Sequence, residues 1–261
     1  MAPGSDGARQ QPGRRVKRAV LRRNPRPPRQ GRSAAERELL TGVHSRLAYD
    51  RLLFFSDAVF AIAITFLALE LRLPAHPAAG HPAGSAAVWA ALGSIWTRYL
   101  SFAVSFVVIG MYWLGHHRMF RLINRFNDRL VWLNLLFLLF VVVIPFPTTV
   151  LGDYENTQAA VVLYAGNLAL TGIMQTVIWR YSTARRRLVQ TELTEERYRY
   201  LVGLVTVRML IPPLVFLLSI GVSFFSVRWA SFSWILIAPA LLLTRLGARR
   251  RGPGGPRAAR R

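Results

Sequence analysis

RLLFFSDAVFAIAITFLALEL, residues 51–71, is the stretch whose reading decides the fold. Between its ends only Asp57 and Glu70 carry charge. A helix rises about 1.5 Å per residue, so about 20 apolar residues cross a hydrocarbon core of about 30 Å. The stretch therefore predicts a membrane-spanning helix over Leu52–Leu71.

Five further runs of the same kind follow. They are predicted from about Tyr99 to Gly115, with an uncharged Ala-rich lead-in from Ala86, over Leu130–Val150, and within Asn156–Trp179. The last two are about Tyr200 to Phe225, which contains Arg208 and Pro212-Pro213, and Trp229–Thr244, which contains Pro239. The predicted class is an all-α membrane protein with six transmembrane helices. Residues 1–34 are rich in Arg, Pro, Gly and Gln. With too little apolar surface to offset the entropy of folding, they read as a disordered basic tail. Ser33-Ala-Ala-Glu36 has the spacing of a capping box, which predicts a cytosolic helix leading into the first span. Residues 35–246 form the transmembrane domain and residues 247–261 a basic cytosolic tail. Before Leu39 no apolar run exceeds Ala19-Val20-Leu21, so the first span is expected to act as an uncleaved anchor.

A net charge of +22 beside 52% hydrophobic residues suits either a nucleic-acid binder or a membrane protein with basic flanks. The placement of charge decides between them. Thirteen of the 34 Lys and Arg residues lie in 1–51, four in 117–129, six in 180–199 and seven in 245–261. The alternate loops hold only Arg72, Arg98 and Arg228. The positive-inside rule then puts both termini, and the loops after the second and fourth spans, in the cytosol. Basic residues that flank spans argue against a nucleic-acid partner. Trp96, Trp132, Trp229 and Trp234 fall near predicted span ends, where interfacial aromatics gather. Thr194-Glu195-Glu196 predicts a helix start, with acids at its positive end.

Asp57 lies about five residues inside the first span. A carboxylate at the bilayer centre costs roughly 2.5–3.5 kcal/mol on insertion scales. On position alone two readings stand: a water-lined pathway or polar network, and a carboxylate near enough to the interface to stay wet. Ile62, Phe66 and Leu69 recur at helical spacing and share one stripe, an arrangement that packing or lipid contact alone also produces. Ala58, Ala61, Ala63 and Ala68 permit close helix approach. His116 and His117 are adjacent, so their side chains diverge by about 100° and make a poor metal pair. Arg208 is expected to snorkel to the interface or to pair with a carboxylate, Asp57 being one candidate.

Arg51-Leu-Leu-Phe-Phe55-Ser56-Asp57-Ala-Val-Phe-Ala61 matches at every fixed position the pattern R-x3-F-S-D-x3-A. That pattern marks the first helix of the transmembrane protein 175 family of potassium channels. Trp113-Leu-Gly-His116 with Arg118 resembles the end of that family's second helix. Leu133-Asn134-Leu135 and Pro145-Phe146-Pro147 resemble its third. The likeness covers roughly residues 47–150, and the motif occurs once, as in the bacterial single-unit type. The resemblance implies a homotetramer in a cell membrane, the bacterial plasma membrane, with the first helix of each subunit lining a central pore for potassium ions. It implies that Ile62 forms the main apolar constriction and that Phe66, usually Leu in the family, and Leu69 form the next layers. Thr65 would form the hydroxyl layer linked with cation preference. Arg51, Ser56, Asp57, His116 and Asn134 would tie the helices together near the cytosolic end. Phe55 and Ala61 complete the motif.

A secondary transporter of small cations or protons using Asp57 is the alternative, although such proteins usually carry inverted repeats and broken helices at mid-membrane. An intramembrane enzyme finds no support. The Gly-x-Ser-x-Gly and His-Glu-x-x-His motifs are absent, and Asp57 and Glu70 lie roughly 20 Å apart along a helix. The absence of cysteine excludes disulfides and thiolate metal sites. No cofactor or metal is predicted.

Overall fold

The computed structural model describes residues 34–73, 84–125, 127–154, 157–189 and 192–251, with side chains between Leu47 and Thr244. The basic tail expected over residues 1–34 lies outside this range, apart from Ala34, which opens the first helix. His76 and His81, the two histidines of the Pro- and Gly-rich loop after the first span, also lie outside it. The chain divides into two units, Met1–His44 and Ser45–Arg261. Of the first, residues 34–44 are helical; the second holds the rest of that helix and all the other described elements.

Every described element is helical. In order they are α1 (Ala34–Leu69), α2 (Ser85–Ser94), α3 (Trp96–Phe120), α4 (Asp128–Val143), α5 (Pro145–Asp153), α6 (Gln158–Thr183), α7 (Glu195–Ser223), α8 (Val227–Ser233) and α9 (Ile237–Arg251). Short 3-10 turns lie at Ala184–Arg186 and Trp234–Leu236. Six stretches are long and apolar enough to cross a membrane: Leu47–Leu69, Trp96–Phe120, Asp128–Asp153, Gln158–Arg186, Glu195–Ser223 and Val227–Thr244. Each contains or overlaps one of the six predicted spans. The helix boundaries follow local chemistry. Asn127 caps α4 by accepting from Leu130 N at 3.0 Å, Thr157 caps α6, and α7 opens at Glu195 after Thr194.

Two features differ from the reading of the sequence. The Ala-rich lead-in is a separate helix, α2, which ends at Ile95 before α3 begins, and none of its residues is buried. The third span is broken between α4 and α5 at Ile144, where Pro145 and Pro147 cannot donate backbone hydrogen bonds. At the far end, α9 runs to Arg251 and so takes in part of the expected C-terminal tail.

The core centres on α6, which buries Ala160, Val161, Tyr164, Ala165, Leu168 and Ala169 among others. Lipid tails are as apolar as leucine, so helices in a bilayer associate through close packing and hydrogen bonds. Both are present. Gly172 of α6 sits where an added Cβ would lie 2.9 Å from Cδ of Pro213 on α7, so only glycine permits this crossing. Tyr112 Oη donates to the Leu168 carbonyl at 2.7 Å, and Gln175 Nε2 to the Tyr112 carbonyl at 2.9 Å. Thr148 Oγ1, Ser105 Oγ and Tyr164 Oη form a buried chain at 2.8 and 2.9 Å. Trp96, Trp132 and Trp229 are exposed, as interfacial residues should be. Trp234 instead turns inward, donating to Ser219 Oγ at 3.0 Å and packing on Tyr164.

The contacts sort the loops onto two ends. At one end the Leu188 carbonyl accepts from Asn124 N at 2.9 Å and Arg125 N at 3.2 Å, and Tyr49 Oη donates to the Phe120 carbonyl. The α3–α4 loop, the α6–α7 loop and the start of the first span therefore share an end. At the other, Arg98 joins Asp153 in an ion pair and donates from Nη1 to the Arg72 carbonyl at 3.3 Å. This is the alternation that six antiparallel crossings require.

Candidate functional site

The first span has two unlike faces. Ser56, Phe60, Ala63 and Leu67 recur at spacings of four, three and four, and all are buried. This stripe anchors α1 to its own subunit. Around the rest of the helix Ile62 is 50% exposed, Phe66 49% and Leu69 60%. Phe55, Ala58 and Ala61 are exposed as well. The ridge picked out by its spacing is thus apolar, continuous and uncovered within one chain. Thr65 is also exposed, and its hydroxyl donates to the Ile62 carbonyl at 2.8 Å. That bond uses the hydroxyl proton and leaves the oxygen lone pairs as acceptors.

The buried stripe is fastened by a polar relay with a definite direction. His116, on α3, and Asn134, on α4, meet at 2.8 Å between Nε2 and Oδ1. An amide oxygen only accepts, so Nε2 carries the proton. Asn134 Nδ2 donates to Ser56 Oγ at 2.9 Å, and Ser56 Oγ donates to the Leu52 carbonyl at 2.9 Å. All three side chains are at most 1% exposed. Every donor in the relay has one acceptor, and the amide orientation follows from the relay itself. The imidazole stacks on Phe120 at 4.3 Å between ring centroids and on Phe137 at 5.5 Å, with Phe60 tilted against it at 5.7 Å. Water is excluded on those sides, which strengthens each bond and raises the cost of breaking one.

Asp57 stands beside this relay. Its Oδ1 accepts from Trp113 Nε1 at 2.8 Å, so it faces α3. His117 stacks on the same indole at 5.7 Å. Of the predicted polar set, Ser56, His116 and Asn134 come together, Asp57 is held separately by Trp113, and Arg51 is exposed outside the relay. Sequence reasoning does not single out Trp113 for this role. The available signal is its three-residue spacing from His116, which puts both on one face of α3. Arg208 does not reach Asp57. It donates from Nε to Thr244 Oγ1 at 3.2 Å and from Nη2 to the Thr244 carbonyl at 3.3 Å. Among the described residues no three of His, Cys, Asp or Glu gather as a metal site.

Similarity to known proteins follows the same residues. The family model described as "Endosomal/lysosomal potassium channel TMEM175" matches residues 51–145, which include α1 from the motif onward, α3 and α4. A potassium channel of Chamaesiphon minutus is 34% identical over 180 residues, covering 68% of this chain and 84% of that one. A potassium channel of Streptomyces collinus is 32% identical over 176 residues, covering 66% and 81%. The crystal structure of a lysosomal potassium-selective channel TMEM175 homolog from Chamaesiphon minutus superposes with a TM-score of 0.63 at 30% identity. It covers 75% of this chain and 97% of that one.

Proposed function

The chain belongs to the TMEM175 family, and from that premise we propose that it is a potassium channel whose pore is lined by α1 from each of four subunits. As a member of a channel family it is not an enzyme. The observation that carries the reading is the division of α1 into a buried, hydrogen-bonded stripe and an exposed apolar ridge. A pore-lining helix needs both: one face fixed to its subunit, the other free to meet its symmetry mates.

In this arrangement Ile62 forms the narrowest apolar ring, with Phe66 and Leu69 in successive layers beyond it. A ring narrower than a hydrated ion excludes water and closes by dewetting. Opening must widen it enough for ion and water to pass together. The lone pairs of Thr65 supply an acceptor layer beside the constriction, so selectivity rests on ion size and hydration and is modest. Ser56, Asn134 and His116 hold the α1 backbone against the strain of that widening. Arg51, Phe55, Asp57 and Ala61 support the same helix. The asymmetry of Lys and Arg puts both termini in the cytosol, with residues 1–34 as a basic tail and residues 35–246 as the channel domain. The membrane is a cell membrane, bacterial by the kinship of the single-unit relatives.

Potassium flux into proteoliposomes, measured with and without an imposed pH gradient, tests this function. The expected result is flux down the potassium gradient at the same rate in both conditions. Flux that runs only when driven by the proton gradient would instead identify a transporter working through Asp57.

A further inference from the structure

Arg208 is the one basic residue within a predicted span that neither the topology nor the pore explains. It lies thirteen residues into α7, roughly 20 Å from its start. Its guanidinium is half-buried and, among the described residues, is held by Thr244, at 3.2 and 3.3 Å. Both acceptors are neutral, so the positive charge stays uncompensated. No ion pair to Arg208 exists among the described residues, and residues 201–261 contain no Asp or Glu at all. A charge left alone in hydrocarbon is expensive. Thr244, however, is followed at once by Arg245 and then by Arg249, Arg250 and Arg251, the basic flank expected where a span meets the cytosol, so the pairing sets Arg208 near that level.

That level belongs to lipid phosphates. The two bonds to Thr244 fix the guanidinium plane, and among the described residues the rest of its donor fork has no acceptor, a geometry suited to a phosphate group. From Arg208 toward the centre of the membrane its face of α7 is continued by Ile211, Pro212 and Val215, at spacings of three, four and seven, all apolar and all partly exposed. We propose that Arg208 and Thr244 form the headgroup end of a binding site for an anionic phospholipid, seated between α7 and α9. Its phosphate would lie on the guanidinium and its acyl chains along this apolar face. The lipid supplies the counter-charge that residues 201–261 lack. This site is separate from the pore helix, and its existence does not depend on conduction.

The test is thermal unfolding of the full chain in neutral detergent, titrated with phosphatidylglycerol, phosphatidylcholine or inorganic phosphate. For wild type we expect the Tm to rise with phosphatidylglycerol and not with the other two. In Arg208→Gln the apparent affinity for phosphatidylglycerol should fall roughly tenfold, the loss of one charge-assisted contact. Arg208→Lys, which keeps the charge but not the fork, should fall between the two and serves where the Gln variant does not fold. An unchanged titration in both variants would overturn the site. A rise with inorganic phosphate alone would also overturn it, by showing a free-anion site rather than a lipid site.

Discussion

Replacing Ile62 with asparagine should raise resting potassium flux at least about tenfold, equivalent to lowering the barrier by about 1.4 kcal/mol, and should blur the preference for potassium over sodium. The apolar ring closes because water does not stay in a narrow hydrophobic passage. Four amides give that water donors and acceptors, so the passage fills without having to widen. Selectivity drops with it, since a wetted ring no longer makes an ion shed part of its shell. Thr65 lies one turn further on and keeps its bond to the Ile62 carbonyl, because that bond uses backbone. Flux assays in proteoliposomes with potassium or sodium read both effects. If the ridge faced lipid instead, the substitution would cost insertion energy and leave the ion flux unchanged.

Replacing Asn134 with leucine should destabilise the subunit more than any other change in the relay. Asn134 is the member that joins the other two helices, bonding His116 of α3 on one side and Ser56 of α1 on the other. Leucine leaves the His116 N–H without an acceptor among Phe60, Phe120 and Phe137. A buried donor left in that state costs roughly 1–3 kcal/mol. Ser56→Ala should cost less, because Asn134 then loses one acceptor and keeps its bond to His116. Thermal unfolding in detergent separates the two: the Tm of Asn134→Leu should fall well below that of Ser56→Ala. Equal values would mean that the relay contributes packing and little hydrogen bonding.

Much of this was legible in the residues. Long apolar runs report membrane spans because the bilayer fixes their length, and each of the six matched a helical stretch of sufficient length. The 3.6-residue period picked out Ile62, Phe66 and Leu69 as one ridge; Ser56, Phe60, Ala63 and Leu67 obey the same period but emerge as a stripe only from their burial. What periodicity could not do was tell which ridge is covered, since both are apolar and differ only in their neighbours. Pairings distant in sequence were hidden for a similar reason. Asp57 with Trp113 is separated by 56 residues and Arg208 with Thr244 by 36, and chemistry alone allowed other partners for both. Arg208 was expected to snorkel to the interface or to pair with a carboxylate; it settled on a carbonyl and a hydroxyl, since the acids of α7, Glu195 and Glu196, lie more than three turns away and residues 201–261 hold none. The break at Ile144 was foreseeable from Pro145 and Pro147. The separation of α2 from α3 at Ile95 had a weaker signal, Gly93-Ser94 just before the junction, with no proline to enforce a stop.

The central claim is that the Ile62 ridges of several subunits meet around water. Because the chain contains no cysteine, a single Ile62→Cys substitution places the only thiols of the assembly at that ring. Silver ions, close to potassium in size and avid for thiolates, should then block potassium flux through the variant while leaving wild type untouched. Flux through Ile62→Cys that continues undiminished in silver would put residue 62 outside the ion's path and contradict the account.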